Sequence, residues 1–385
     1  MSAPYETEAV ARSAIANTAS GKSKPAASEL AATSPAATTG GAPTRDRLGR
    51  PLLDLRISVI DACNYRCGYC MPAEQTYSFF RSDELLDFAE IERLARIFGE
   101  LGAIHLRITG GEPLLRKNLP DLIERLAFAP GVEDLALTTN GELLAENAER
   151  LKAAGLRRIT VSLDSLDPDR FRELSGGRGS LTRVLAGIDA ALAAGLRPLK
   201  INSVVKKGCN DRPADVARLV AFARERDITV RFIEYMDAGN RNGWRPDQVV
   251  TSADLFETIL DQQRVTGGPE LIAEPYESYG ETARRYRFAD GRGGVGFISS
   301  VSSPFCGGCT RARLSADGRL YLCLFARDGL DLRALLRSGA PDAAVMDAIA
   351  RVWRARDDRY SEERFRNAEK SSEGAEKVEM FRVGG

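Results

Sequence analysis

The chain has 385 residues, 43% hydrophobic and 28% charged, enough to bury a large core in one large domain with a smaller one beside it. Lys plus Arg and Asp plus Glu balance at 54 each, which excludes a global basic field for nucleic acid. No apolar run is long enough to span a bilayer, and a single histidine, His105, excludes mechanisms that need a His pair.

Residues 1–45 are rich in Ala, Ser, Thr, Pro and Gly, lack an apolar signal core and are poor in arginine. They read as a disordered extension, and the compartment as cytoplasmic and reducing. A strand over 55–60 then feeds a loop in which Cys63, Cys67 and Cys70 are spaced Cys-x3-Cys-x2-Cys. Three thiolates on so tight a loop suit a cubane iron–sulfur cluster whose fourth iron has no protein ligand, and that open iron is a place for chemistry. Structural zinc favours paired Cys-x2-Cys units and four ligands, so the cluster is the preferred reading.

From there strands alternate with helices. Strands are predicted at 105–109, 134–140, 158–164, 200–205 and 229–236, and helices at 90–101, 118–127, 143–154, 181–194 and 213–226. Six strands in this rhythm imply parallel pairing, either in an open sheet or in part of a barrel. The cysteine loop, Gly110-Gly111-Glu112-Pro113, Thr139-Asn140, 162–164 and Met236 all fall at C-terminal strand ends, which favours a barrel. Period two places Arg107 with Thr109, Lys200 with Asn202 and Arg56 with Ser58. Cations inside parallel strands are unusual; as a set, with Arg231 as a further candidate, they point to an anionic, phosphate-bearing ligand.

After Met236 the rhythm breaks into a helix near 253–260, a Gly-rich stretch and a hairpin of 311–315 with 319–325. Gly291 to Gly296 matches a dinucleotide-binding fingerprint by letters alone, because strand follows it where a helix should begin. Cys306 and Cys309, with Cys323 expected on the second hairpin strand, form another set of three ligands. A second open cluster is preferred, and zinc with a fourth ligand elsewhere stays an alternative. Arg311 and Arg313 share one strand face beside it, suited either to a polyanion or polar base or to a solvated edge. Cys209 stands alone in a turn and reads as an ordinary thiol.

From about residue 50 to the end, these motifs resemble the radical S-adenosylmethionine enzymes and, within them, the GTP 3′,8-cyclases of molybdenum cofactor biosynthesis. Arg107-Ile-Thr-Gly-Gly-Glu-Pro113, Leu137-Thr-Thr-Asn-Gly141, Thr160-Val-Ser-Leu-Asp164, Arg231-Phe-Ile-Glu-Tyr-Met236, the segment Cys306 to Arg313 with Cys323, and the closing Gly384-Gly385 carry the resemblance. It implies an α/β fold: an incomplete (β/α)6 TIM-like barrel over 46–238, a smaller C-terminal α+β module with the second cluster over 239–340, and a helical region with a Gly-Gly tail over 341–385. The tail is expected to enter the active site.

The resemblance implies a radical lyase that converts GTP to (8S)-3′,8-cyclo-7,8-dihydroguanosine 5′-triphosphate through a 5′-deoxyadenosyl radical. Cys63, Cys67 and Cys70 would hold one [4Fe–4S] cluster, and Cys306, Cys309 and Cys323 another. Tyr69, Gly111, Ser162 and Met236 match positions that contact S-adenosylmethionine. Arg56, Arg107, Thr138, Lys200, Arg311, Ala312 and Arg313 match positions that contact GTP, with Arg311 and Arg313 as the catalytic pair. His105 stands where some members have lysine. Implied partners are an electron donor such as a flavodoxin or ferredoxin and, by product hand-off, a cyclic pyranopterin monophosphate synthase. Neither nucleic acid nor membrane is expected, and a homodimer is left open. Rival readings are a peptide-modifying radical maturase, an iron–sulfur electron carrier and a zinc-dependent nucleic-acid binder.

Overall fold

A computed structural model describes residues 42–367 and 376–384, so most of the expected disordered extension and the last residue, Gly385, lie outside the described residues. The first βα units are β1 (Asp54–Ser58), α1 (Phe88–Glu100), β2 (His105–Thr109), α2 (Leu119–Ala127), β3 (Asp134–Thr139), α3 (Ala148–Ala153) and β4 (Arg158–Ser162). Then come α4 (Pro168–Leu174), α5 (Leu181–Ala193), β5 (Leu199–Val205), α6 (Pro213–Glu225), β6 (Thr229–Glu234) and α7 (Ser252–Thr266). The rest comprises β7 (Leu271–Ala273), β8 (Arg284–Phe288), β9 (Gly294–Ile298), β10 (Arg311–Leu314), β11 (Arg319–Tyr321) and β12 (Leu330–Asp331). Four helices close the described chain: α8 (Leu332–Arg337), α9 (Asp342–Ala355), α10 (Tyr360–Asn367) and α11 (Met380–Val383).

All twelve strands form one open sheet in the order β12-β11-β10-β1-β2-β3-β4-β5-β6-β9-β8-β7. The six predicted strands lie side by side and parallel, as an incomplete barrel requires. Strands from beyond residue 239 extend that same sheet: β10 pairs parallel with β1 at one end, and β9 parallel with β6 at the other. The predicted hairpin is β10–β11, antiparallel as its Asp317-Gly318 turn suggests. It is shorter than expected, and Cys323 sits in the bend after β11 instead of on the strand. Of the Gly-rich decoy, Gly291 is in a turn and Gly294 opens β9.

Period two divides each strand between two environments. Leu55 and Ile57, Leu106 and Ile108, Leu135 and Leu137, Ile159 and Val161, and Leu199 and Ile201 are all buried in the core shared with the helices. Each such side chain contributes about 1.5–3 kcal/mol relative to exposure. Across that layer Leu94, Ile97 and Phe98 of α1 and Leu122 and Ile123 of α2 complete the packing. Local signals set the helix starts: Asp87 and Glu90 make a reciprocal capping box on α1, and the Ser180 side chain caps α5 as anticipated. The remaining strand positions (Arg56, Arg107, Thr138, Arg158, Lys200, Asn202, Arg231) turn to the other face and line a cavity.

Candidate active site

That cavity, about 290 Å³, is built from the inner sheet face, the 277–283 loop and the second cysteine triplet. Strand register aligns its cations. Arg313 of β10, Arg56 of β1, Arg107 of β2, Ala136 of β3 and Arg158 of β4 are successive register partners, so four guanidiniums stand in one row. The row above carries Thr138, Thr160 and Lys200. Arg107 donates to the Thr138 and Thr160 hydroxyls, each at 3.3 Å, and Arg231 donates to Asn202 Oδ1 at 2.9 Å.

Crowded positive charge in a dry wall weakens several of these cations. Burial, then Arg231, Arg158 and Arg107, hold the Lys200 ammonium down at about 8. Burial and the neighbouring Arg107 bring Arg231 to about 9, and burial with Arg311 brings Arg313 to about 10. Arg56 is held well below its ordinary value by burial and by Arg313, Arg311 and Arg107. A wall that strains to stay charged gains most from a polyanion. His105, also lining the cavity, is 3.4 Å from Asp54; despite burial, that carboxylate raises its pKa.

Cys306, Cys309 and Cys323 all face this cavity as free thiols. Burial alone would raise the Cys309 pKa, but Arg311 and Arg356 outweigh it and hold the thiol at about 6. Arg311 Nη2 lies 3.5 Å from its sulfur. Cys309 is therefore a thiolate at neutral pH, the form that binds iron. Cys323 is pushed up to about 12, chiefly by burial. A Cβ added to Gly307 meets nothing closer than Glu362 Oε1 at 3.8 Å.

The first triplet sits on the loop after β1, at the C-terminal strand ends. Cys70 N and Met71 N both donate to Cys67 O, at 2.9 and 2.8 Å, and Tyr65 N lies 3.4 Å from Cys63 Sγ. Arg66 pins the loop, giving Nη1 hydrogen bonds to Cys63 O and Tyr65 O at 2.8 and 2.7 Å. Burial pushes Cys63 up to about 12 and raises Cys67 and Cys70 as well; Asp164, Cys63 and Cys70 add to the shift at Cys67, and Cys63 and Glu379 to that at Cys70. A backbone N–H beside one sulfur and three free cysteines on one pinned loop suit a cluster of several irons, while no group of three or more His, Cys, Asp or Glu among the described residues is placed to hold a single metal ion.

These three cysteines do not line the cationic cavity. The link between the two runs through Asn242, whose Nδ2 reaches Tyr69 O at 3.5 Å and Met236 O at 3.0 Å, and Met236 does line the cavity. Of the residues expected at S-adenosylmethionine, Tyr69 donates its hydroxyl to Asp164 at 2.9 Å. Ser162 ends β4 opposite Asn202. Gly111 packs so close to the Asp61 and Ala62 carbonyls that no Cβ fits there. Glu112, the acid of that Gly-Gly-Glu-Pro turn, accepts from Thr139 Oγ1 and Asn140 N, both at 2.7 Å, and burial raises it to about 7. Ala312 pairs with Leu55 and is buried in the core, outside the cavity lining.

The C-terminal segment reaches one cavity-lining residue, Arg313. Phe381 meets Tyr77 and Phe79 edge-on, with ring centroids 5.6 and 6.4 Å apart. Such pairs contribute about 0.5–1.5 kcal/mol each. Arg313 donates to the Gly384 carbonyl, and Gly384, at φ +68°, lies where any Cβ would strike Thr109. Only glycine suits that position. Sequence reasoning missed Arg158, whose strand-opening position carried the same signal as Arg107. It also missed the 277–283 loop and Arg356, for which no sequence signal exists.

Two sequence models match the chain: the radical SAM superfamily over residues 57–220 and Molybdenum Cofactor Synthesis C over residues 228–362. A GTP 3′,8-cyclase of Xanthomonas campestris pv. campestris (strain 8004) is 52% identical over 346 residues, 89% of this chain and 98% of that protein. Others from Acidothermus cellulolyticus and Staphylococcus haemolyticus are 50% and 43% identical, each over 89% of this chain and over 94% and 99% of their own lengths. Among solved structures, Streptococcus suis SuiB bound to S-adenosylmethionine superposes with a TM-score of 0.53 at 18% identity, covering 78% of this chain and 68% of SuiB.

Proposed function

This chain belongs to the GTP 3′,8-cyclases, a family of radical S-adenosylmethionine enzymes, and we propose that its cationic cavity is where GTP is held for cyclisation. The enzyme converts GTP to (8S)-3′,8-cyclo-7,8-dihydroguanosine 5′-triphosphate in molybdenum cofactor biosynthesis. The family's [4Fe–4S] cluster and S-adenosylmethionine, when bound and reduced, supply a 5′-deoxyadenosyl radical. Cys63, Cys67 and Cys70 are its ligands in this reading, and Cys306, Cys309 and Cys323 hold a second [4Fe–4S] cluster.

One observation carries the assignment of the cavity: the register-aligned row of Arg313, Arg56, Arg107 and Arg158 ends at the Cys306–Cys309–Cys323 group. A nucleotide laid along that row puts its triphosphate against Arg107, Arg158, Lys200 and Arg231. Its base then lies against the second triplet, beside Arg311 and Arg313. Fork-shaped guanidiniums suit both phosphate oxygens and a purine edge. Tyr69, Gly111, Ser162 and Met236 frame the S-adenosylmethionine side, joined to the nucleotide side through Asn242. The protein's contribution is positioning, because a small displacement of the ribose presents the wrong hydrogen. The tail, with Gly384 on Arg313, keeps solvent out.

A one-electron donor such as a flavodoxin or ferredoxin and transfer of product to a cyclic pyranopterin monophosphate synthase complete the reading. Anaerobically reconstituted protein should bind about eight irons. With reductant and S-adenosylmethionine it should release 5′-deoxyadenosine only when GTP is present. Release with a different substrate and not with GTP would defeat the assignment.

A further inference from the structure

Two buried arginines far apart in the chain grip the second cysteine loop. Arg50, fully buried before β1, donates Nη1 to the carbonyls of Cys306 and Asp358, each at 2.9 Å, and its Nε is 2.5 Å from Asp46 Oδ2. Arg356, whose side chain is 1% exposed, donates Nη1 to the Cys309 carbonyl at 2.9 Å and Nε to Asp358 Oδ1 at 2.8 Å. It lies 4.7 Å over the Trp353 ring, 3.8 Å from Asp46, and reaches the cavity wall. The carbonyls of Cys306 and Cys309 are thus each capped by a guanidinium, one from the N-terminal arm and one from the end of α9.

Such an arrangement exceeds what holding a loop requires. A neutral amide or backbone N–H would satisfy those carbonyls, whereas burying guanidiniums is costly unless their charge is used. Arg50, Arg356 and Arg311 bring three positive charges to the loop; Asp46 and Asp358 sit against the first two, and Glu362, itself paired with Arg359, accepts from Gly307 N at 3.0 Å. A cubane on three thiolates is anionic and gains one negative charge on reduction. A fixed cation in a dry wall stabilises the reduced form.

Resting on the reading that Cys306, Cys309 and Cys323 hold a second cluster, we propose that Arg356 is a positioning residue for it. Its guanidinium fixes the Cys309 corner of the loop, and its charge raises that cluster's reduction potential. Outer contacts of this kind tune a metal group without ligating it.

The test is an anaerobic redox titration, followed by electron paramagnetic resonance, of reconstituted wild type, Arg356→Gln and Arg356→Lys. The second cluster's signal is identified as the one absent from Cys309→Ala. Arg356→Gln should lower the midpoint potential of that signal alone, and Arg356→Lys should return it close to wild type. Unchanged potentials in the Gln variant, or a Lys variant that falls as far as the Gln variant, would overturn the proposal. If the Gln variant fails to retain the second cluster, retention by the Lys variant supports the proposal and loss from both overturns it. Wild type with only about four irons would instead sink the underlying two-cluster reading, before any variant is compared.

Discussion

Arg313 donates to the Val383 and Gly384 carbonyls and, in the proposed complex, to the nucleotide. Replacing it with alanine removes a charged donor worth about 2–3 kcal/mol, so kcat/KM should fall roughly 30- to 160-fold. Iron content should stay at the wild-type level; loss of iron would make the arginine structural. Lys200 gives a pH test. Burial and neighbouring cations lower its pKa to about 8, so it is charged below that pH and loses its proton as pH rises through it. GTP affinity should therefore decline above about pH 8 in kcat/KM, while bound triphosphate, favouring the charged form, moves the break in kcat to higher pH. A kcat/KM profile flat from pH 7 to 9 would remove Lys200 from the phosphate site. Arg56, Arg107 and Lys200 were legible in the sequence because a cation inside a parallel strand is anomalous wherever it occurs. Arg356 was not, because a charged residue at the end of an amphipathic helix looks like any solvated one; only tertiary packing buries it against Cys309.

At the scale of elements, the C-terminal tail is held by a specific clasp. Asp237, just past β6, accepts from Arg364 Nε at 2.8 Å and Lys377 Nζ at 2.9 Å, and from the Tyr360 hydroxyl. Asn240 and Arg241 of the same loop bind the Lys377 backbone and Glu379. Breaking a mostly buried ionic cluster from one side typically costs about 3–5 kcal/mol. Asp237→Asn should therefore speed hydrogen exchange at residues 378–384 and lower turnover, with iron content unchanged. Unchanged exchange there would mean that the aromatic contacts of Phe381 suffice to seat the tail. The six βα units were readable because 3.6- and 2-residue periodicities are strong in long, half-buried elements. β7 and β8 escaped notice: β7 is three residues long, and β8, Arg-Arg-Tyr-Arg-Phe, alternates over only four of its residues. The expected helix over 143–154 is only its second half, α3, preceded by turns, and Asn147 gives it no side-chain cap.

For the whole molecule, the sheet explains how distant motifs meet. Its incomplete barrel is lengthened at both ends by strands from beyond residue 239, so β10 brings Arg311, Arg313 and the second triplet beside β1. No periodicity could announce that pairing, since parallel contact between residues more than 250 apart depends on how the finished sheet curves. No helix among the described residues is long and apolar enough to cross a membrane. The result is a cavity whose sheet wall is lined with cations and whose one end carries three cysteines; in the proposed complex its task is to present one ribose hydrogen and no other. The direct measurement is deuterium transfer from GTP labelled on ribose, followed by mass spectrometry of the 5′-deoxyadenosine formed. Label at the 3′ position should appear in 5′-deoxyadenosine in step with the cyclised nucleotide; transfer from another ribose position, or none, would contradict the account.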